Sequence, residues 1–279
     1  MDRLRQHIVI LSLILCPFLC RAGGEVTPRG ARSAGLGNSS VMLQGLWASY
    51  NNQAGLVGLD GIHGGVYFHN LFGMGGLNDQ GIAIAYGKDD KSLAVNMSSF
   101  GVDAFKDERY GIAYAMKLGK KLDLGVQLNY HTTRILSNEY GSRSSLTAEL
   151  GLMSHLTDEF TLAFHLFNPS QTQLNAFEEE KIPTVMALGG SYEFSDKVTL
   201  VSEAMKDIDT QAIIRVGIEY KVVSTVYIRG GVSTEPTLSS FGAGIELGDM
   251  DIDIAASYHN TLGYSSQISM SYRFSDNAR

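Results

Sequence analysis

The last stretch of the chain alternates between apolar and polar residues with a period of two. The apolar side chains of Gly263–Phe274 fall two positions apart, while serines, Gln267 and Arg273 occupy the positions between them. This period is that of a β-strand with one apolar and one polar face. The aromatic pair Tyr272 and Phe274 lies almost at the chain end, where a last strand must pair with the first if a sheet is to close. We therefore predict the closing strand of a transmembrane β-barrel.

Similar alternating segments repeat along the chain after residue 60, and their connections differ in length. Tight connections are predicted at every second junction, for example at Lys88–Lys91, Gly119–Lys121 and Ser195–Lys197. The junctions between them are mostly longer: Asn70–Gln80, Ser99–Glu108, Ser137–Arg143, Asn168–Lys181 and Ser233–Leu238. Short periplasmic turns and longer external loops are typical of bacterial outer-membrane barrels. An even number of strands then places both chain ends in the periplasm.

Residue parity assigns the two faces of each predicted strand. Leu124, Val126 and Leu128 share one face of their strand, whereas Gln127 and Asn129 share the other. A soluble β-sandwich also alternates, with its apolar face inward. The long series of turns and the aromatic residues at strand ends, which suit membrane interfaces, favour the barrel. We predict an all-β fold, a transmembrane antiparallel β-barrel of about 14 strands, in the outer membrane of a Gram-negative bacterium.

The first sixty residues do not alternate, and they divide into two parts. Arg3 and Arg5 precede a short apolar run, and Cys20-Arg21-Ala22 supplies a signal-peptidase pattern, so residues 1–22 are predicted to be a signal peptide. Residues 23–60 are rich in glycine and small residues and contain a short helical stretch around Leu46–Tyr50. Such a segment suits tight packing inside another structure. We predict a lumenal plug at 23–60 and the barrel at 61–279.

Charge and cysteine content exclude several classes of function. The 279-residue chain carries a formal net charge of −7, so it has no electrostatic footprint for nucleic acid. Both cysteines, Cys16 and Cys20, lie in the predicted signal peptide. The mature chain is therefore expected to have no disulfide, no thiolate metal site and no cysteine nucleophile.

No motif of the sequence indicates catalysis or a cofactor. The chain lacks a Gly-x-Ser-x-Gly elbow, a His-Glu-x-x-His helix and a phosphate-binding glycine loop. Its histidines are scattered over separate strands, which indicates lumen or rim positions rather than a metal site. Asp249, Asp251 and Asp253 would share one face of a strand and offer a calcium site as an alternative to a polar turn. We predict that the protein is not an enzyme and binds no metal or cofactor.

Charged residues recur on the predicted inner face of the barrel. Lys117, Arg215, Arg229 and Arg273 share it with Asp123, Glu149, Glu219, Glu246 and Asp253. Isolated charges are costly to bury, so these groups are expected to pair with one another or with the plug. The alternative is a substrate path in which the arginines hold a carboxylate head group.

Two short stretches near the N-terminus resemble a known family. Gly30-Ala31-Arg32-Ser33-Ala34-Gly35-Leu36-Gly37-Asn38, followed by Asn51-Asn52-Gln53-Ala54-Gly55-Leu56, is similar to the N-terminal hatch signature of the FadL-like outer-membrane superfamily, particularly its PorV/PorQ type. Gln53 stands where that signature has proline, which predicts a looser turn. The resemblance implies a fourteen-stranded barrel with a lumenal plug.

The resemblance leaves two functions open. FadL relatives pass hydrophobic compounds inward, which implies transport or binding of a hydrophobic or amphipathic small molecule. PorV-type relatives hold cargo for the type IX secretion system, which implies a non-transporting role beside secretion or envelope-assembly proteins. A passive barrel with a filled lumen is a third reading. The expected partners are outer-membrane lipid and either the small molecule or the secretion proteins. Candidate ligand-lining residues in the plug and lumen are Trp47, Tyr50, Asn52, Glu149, Arg215 and Arg229.

Overall fold

A computed structural model describes residues 27–136, 142–172 and 182–274. The predicted signal peptide and the predicted loop residues Ser137–Gly141 and Gln173–Lys181 lie outside the described residues. The strands are β1 Gly61–Asn70, β2 Asn78–Lys88, β3 Lys91–Val102, β4 Phe105–Leu118, β5 Leu122–Ile135, β6 Ser142–His155, β7 Phe160–Phe167, β8 Val185–Ser195, β9 Val198–Asp207, β10 Ile213–Val223, β11 Val226–Ser233, β12 Leu238–Leu247, β13 Met250–His259 and β14 Gly263–Phe274.

The strands form one closed antiparallel barrel in chain order. The barrel closes between β1 and β14, where Ile62 pairs with Phe274 and Asn70 pairs with Ser266. The prediction of a 14-stranded barrel with Gly263–Phe274 as its closing strand is confirmed. Strand β1 begins and strand β14 ends at the same end of the barrel, which we call the turn end. The opposite end, where β1 joins β2 and β13 joins β14, is the loop end.

The two faces of the strands follow the predicted parity. Leu128 is 67% exposed and Phe241 is 72% exposed, although both are large apolar residues. Their neighbours Asn129 and Ser240, on the inner face, are almost completely buried. An apolar outer surface around a polar interior is the arrangement of a barrel surrounded by lipid. No helix in the described ranges has the length and apolar character needed to cross a membrane.

The prediction of a loop at Ser99–Glu108 is wrong. Ser99 pairs with Glu108 in the sheet, and β3 continues to Val102 while β4 begins at Phe105. The connection is therefore only Asp103-Ala104. The residues that indicated a loop form the paired ends of β3 and β4, where buried and exposed positions no longer alternate. This connection at the loop end is consequently shorter than the sequence predicted.

Residues 27–60, which we call the N-terminal segment, contain helix α1 (Ala31–Gly35), helix α2 (Ala48–Asn51) and a 3-10 turn at Gln53–Leu56. Helix α1 packs mainly against β12 and β13, whereas the 3-10 turn packs mainly against β5. Strands β5 and β12 are seven places apart in the ring of fourteen, so they face each other across the barrel. The N-terminal segment therefore reaches across the interior from one wall to the other.

Inward-facing glycines allow the N-terminal segment to approach the wall closely. A Cβ atom at Gly231 would lie 2.2 Å from the backbone nitrogen of Gly37. A Cβ atom at Gly125, near the opposite wall, would lie 2.3 Å from the backbone nitrogen of Ala54. Both distances are shorter than van der Waals contact, so only glycine fits at these positions with the segment in place.

Candidate functional site

The most extensive polar cluster of the described interior surrounds Glu149 of β6. Its Oε2 accepts a hydrogen bond from Gln53 Nε2 at 2.8 Å and lies 2.8 Å from His165 Nε2. Its Oε1 pairs with the Arg109 guanidinium and accepts from Asn129 Nδ2 at 2.7 Å. The carboxylate is completely buried, and four neighbouring groups satisfy it. This cluster ties the 3-10 turn of the N-terminal segment to strands β4 to β7.

A second buried ion pair lies on another part of the wall. Arg215 Nη1 is 2.9 Å from Glu203 Oε1, and both side chains are almost completely buried. Glu203 Oε2 also accepts hydrogen bonds from the backbone nitrogens of Ser40 and Val41, at 2.7 and 2.8 Å. Arg215 Nη1 donates to the backbone oxygen of Asn38 at 3.1 Å. The pair therefore holds the middle of the N-terminal segment as well as itself.

A third cluster lies toward the turn end. Arg229 is 2.5 Å from both Glu219 Oε2 and Asp253 Oδ1. Arg32 of helix α1 donates to both oxygens of Glu219, at 2.9 and 2.7 Å. The pairing of inner-face charges expected from the sequence is present in this cluster. Carboxylates with this many donors have little capacity left for an incoming ligand.

Several members of these clusters were missed by the sequence reasoning. Arg109, Glu203 and His165 are buried on the inner face, and Arg32 belongs to the N-terminal segment. Parity would have placed Arg109 inside, because Gly111, Ala113 and Ala115 share its face. The sequence offers no signal for the partner of Arg215, which is Glu203 and not one of the carboxylates expected on the inner face.

Trp47 and Tyr50 form an aromatic group at the base of helix α2. The Trp47 and Tyr50 rings are stacked with centroids 6.4 Å apart, and Tyr67 of β1 lies edge-on to both. The Tyr50 hydroxyl lies 2.7 Å from the backbone oxygens of Ile82 and Met97. Burial raises the pKa of Tyr50 above its ordinary value, so the hydroxyl stays protonated and can donate.

Asn52 has a structural position at the start of the 3-10 turn. Its Oδ1 accepts from the backbone nitrogen of Ala54 at 3.2 Å, and its Nδ2 donates to the backbone oxygen of Val41 at 2.7 Å. The Gly55 nitrogen also donates to the Asn52 carbonyl at 2.9 Å. The looser turn predicted from Gln53 is therefore not observed, because Asn52 caps the turn whether or not proline follows.

Five of the six predicted ligand-lining residues are divided between two interior cavities. Trp47 and Arg229 line a polar cavity of about 320 Å³ at the turn end. Tyr50, Glu149 and Arg215 line a cavity of about 30 Å³ in the middle of the barrel. Asn52 lines neither of them. The structure therefore does not gather the six residues into one site, and a ligand contact at any of them stays a prediction.

The third cavity, of about 60 Å³, lies at the loop end between the N-terminal segment and the wall. Its described lining comes from the N-terminal segment, from β1 and β11 and the connections that follow them, and from β12 to β14. Its polar residues are Thr27, Asn38, His69, Ser233, Ser257, His259, Ser265 and Gln267. Leu71, Phe72, Pro236, Leu238 and Ala255 supply the apolar surface. None of these residues was predicted from the sequence to line a ligand site. We call this space the loop-end cavity.

Two of the three carboxylates considered for calcium pair with arginine side chains, and the third, Asp251, accepts a hydrogen bond from Ser271 Oγ at 3.4 Å. Asp249 Oδ1 is 2.8 Å from Arg273 Nη2, and Asp253 pairs with Arg229. Among the described residues, no group of three or more His, Asp or Glu side chains is arranged to hold a metal ion.

Fold and interior together define a class of protein: a 14-stranded outer-membrane β-barrel with an N-terminal segment inside it. Among solved structures, the toluene transporter TodX of P. putida is similar, with 14% identity, a TM-score of 0.70 and coverage of 90% of this chain and 99% of that chain. A FadL homologue of Pseudomonas aeruginosa is 14% identical, with a TM-score of 0.61 and coverage of 87% and 98%. Omp33 of Acinetobacter baumannii is 9% identical, with a TM-score of 0.51 and coverage of 77% and 98%.

These likenesses concern the fold, which is that of FadL-type barrels of the Gram-negative outer membrane. No protein-family model matches the chain, and a search of curated proteins finds no match. The narrower resemblance to the PorV/PorQ type stays a prediction.

Proposed function

We propose that the protein admits small hydrophobic or amphipathic molecules across the outer membrane. The observation that carries this proposal is the loop-end cavity, where apolar side chains and polar groups without Asp, Glu, Lys or Arg meet the N-terminal segment inside the barrel. The other two interior cavities are lined by several charged side chains. Ligand sites typically combine apolar side chains with a small number of polar groups, and the loop-end cavity offers both kinds of group.

The likeness to TodX agrees with this proposal. That protein is described as a toluene transporter, and a FadL homologue has the same fold. The present barrel has a comparable frame and an N-terminal segment that fills much of the lumen. A role beside secretion proteins has no specific observation in its favour among the described residues, so transport is the better-supported function.

Passage through the barrel requires the N-terminal segment to shift. The middle cavity of about 30 Å³ has room for only about two water-sized groups, so a molecule entering the loop-end cavity cannot continue past it. Ala34 of helix α1 packs against Ala255 of β13 beside the loop-end cavity. Holding these two positions together should therefore block the route.

A disulfide between Ala34→Cys and Ala255→Cys tests the proposal. Whole Gram-negative cells with intact lipopolysaccharide would express the wild-type protein, the double variant or an empty vector, and the uptake of radiolabelled toluene would be measured. We expect faster uptake with the wild-type protein, uptake at the vector level with the oxidised double variant, and recovery after reduction. The two single-cysteine variants are the controls. Wild-type uptake no faster than the vector would refute transport, and a secretion defect in the native host would then favour the alternative function.

A further inference from the structure

Gln267 is an unusual residue of the barrel interior. It lies on the inner face of β14, between His69 of β1 and Ala255 of β13 in the sheet register. The side chain is only 5% exposed. Neither its amide nitrogen nor its amide oxygen has a hydrogen-bond partner, and the residue lines the loop-end cavity.

An unpartnered buried amide is energetically unfavourable. A polar group that is buried without a partner loses its hydrogen bonds to water and gains none in return, so most such groups in native proteins are satisfied. Gln53 leaves its amide oxygen unpartnered but donates to Glu149, and Gln127 bonds with its polar neighbours, whereas both amide atoms of Gln267 lack a partner. Gln267 therefore calls for a partner that enters the cavity from outside the chain.

The rest of the lining restricts what that partner can be. Among the described residues, Leu71, Phe72 and Leu238 provide apolar contact. Besides Gln267, the polar lining residues are Thr27, Asn38, His69, Ser233, Ser257, His259 and Ser265. The described lining contains no Asp, Glu, Lys or Arg. A charged head group would lose its hydration there without gaining an ionic partner, which is costly. The partner is therefore uncharged.

Size and hydrogen bonding narrow the choice further. The cavity of about 60 Å³ has room for roughly four to six water-sized groups, so it suits a compact molecule. The primary amide of Gln267 offers both a donor and an acceptor. A single ligand group that pairs with both must itself donate and accept hydrogen bonds, as a hydroxyl or a carboxamide does.

Phe72, in the connection after β1, is one of the residues that line the loop-end cavity. Its backbone nitrogen donates to Ser265 Oγ at 2.9 Å, and its ring lies edge-on to His259 with centroids 6.0 Å apart. Phe72 also has a φ of 56°, a conformation that is uncommon for a residue other than glycine. The residue lines the cavity, and a ligand as large as a small aromatic ring requires the Phe72 ring to rotate away.

We propose that Gln267 recognises a small uncharged molecule with an apolar body and one head group that both donates and accepts hydrogen bonds, such as a phenol, an alcohol or a primary amide. This inference rests on the proposed function, because it names the substrate class of the loop-end cavity. It separates such molecules from pure hydrocarbons and from carboxylates of the same size.

Three probes that share a fluorinated benzene ring test the inference, and two of them, 4-fluorophenol and 4-fluorotoluene, are nearly equal in size. The purified full-length protein in lipid nanodiscs would be titrated with 4-fluorophenol, 4-fluorotoluene and 4-fluorobenzoate, with binding followed by fluorine NMR and empty nanodiscs as the blank. We expect the wild-type protein to bind 4-fluorophenol about tenfold more tightly than 4-fluorotoluene, because the toluene leaves the amide unpaired. Binding of the 4-fluorobenzoate anion should be weaker still.

Variants at position 267 test how much the amide group contributes to binding. Gln267→Met keeps the length of the side chain, and it should weaken 4-fluorophenol binding by about tenfold while changing 4-fluorotoluene binding by less than about twofold. Gln267→Asn keeps an amide and should retain part of the preference for phenol. Gln211→Met, at an exposed position between β9 and β10, is the matched control and should bind as the wild type does.

The outcomes separate this inference from the proposed function. Equal wild-type affinities for 4-fluorophenol and 4-fluorotoluene would overturn the role of Gln267, even if cells still take up toluene. If Gln267→Met keeps the wild-type preference for 4-fluorophenol over 4-fluorotoluene, the role of Gln267 is overturned as well. The partner of the amide is then bound water alone. If cells that express the protein take up none of the probes faster than cells without it, transport is refuted instead.

Discussion

Gln53 Nε2 donates a hydrogen bond of 2.8 Å to Glu149 Oε2, across 96 positions of the sequence. Both residues are buried, and the bond joins the N-terminal segment to the barrel wall. Gln53 occupies the position at which the resembled hatch signature has proline. The side chain that departs from the signature is therefore the one that provides a direct contact with the carboxylate at the centre of the largest polar cluster.

Removing the Gln53 side chain should loosen the N-terminal segment. Gln53→Ala leaves one oxygen of Glu149 with a single remaining partner and should lower the free energy of unfolding by about 1.5–3 kcal/mol, the usual value of a hydrogen bond to a charged group. Gln53→Pro should cost a similar amount, because proline is tolerated at the first position of a helical turn but makes no bond to Glu149. Unfolding by urea in lipid vesicles measures the loss. Gln44→Ala, at an exposed position of the same segment, should have little effect.

The pair Arg215 and Glu203 should respond unequally to removal of either partner. Breaking a buried ion pair costs about 3–5 kcal/mol, because one charge is left without compensation. Glu203→Leu should cost more than Arg215→Met, since it also deprives the Ser40 and Val41 nitrogens of their acceptor.

The double variant Arg215→Met with Glu203→Leu completes the thermodynamic cycle. It should be less destabilised than the sum of the two single variants, because no uncompensated charge remains. Additive losses in the same unfolding measurement would show that the two side chains do not interact.

Two adjacent glycines of β11 offer a matched comparison. Gly231→Ala places a methyl group 2.2 Å from the Gly37 nitrogen, so it should displace the N-terminal segment and cost about 1–3 kcal/mol. Gly230→Ala faces outward, with its nearest neighbour 3.9 Å away, and should be neutral or slightly stabilising. Limited proteolysis should cut the N-terminal segment faster in the Gly231 variant only. Equal cutting in both variants would mean that this segment does not depend on close contact with the wall.

A charge on the lipid-facing surface should be costly according to its depth. Leu128 lies near the middle of β5 and is 67% exposed, so Leu128→Arg should lower the stability of the barrel in lipid vesicles by about 2–4 kcal/mol. Leu122→Arg, at the turn end of the same strand, should cost no more than about 1 kcal/mol. If both variants refold in vesicles with wild-type stability, this face of β5 does not contact the lipid core.

The period-two pattern determined much of the barrel, because alternation is a local property of an extended chain. Within each strand, apolar residues mark the side that faces lipid and polar residues mark the side that faces the interior, as Leu128 and Asn129 illustrate. Counting such strands and their tight turns was enough to predict fourteen. The pattern failed at Ser99–Glu108, because buried and exposed positions no longer alternate at the paired ends of β3 and β4.

The interior was decided by tertiary structure. The sequence placed Arg215 on the inner face, but it could not show that Glu203 pairs with Arg215 or that the Gly37 backbone lies against Gly231. These contacts depend on the register of the sheet around the ring and on the path of the N-terminal segment across it. The loop-end cavity and the unpaired amide of Gln267 arise in the same way, from surfaces distant in sequence that meet only when the barrel is closed.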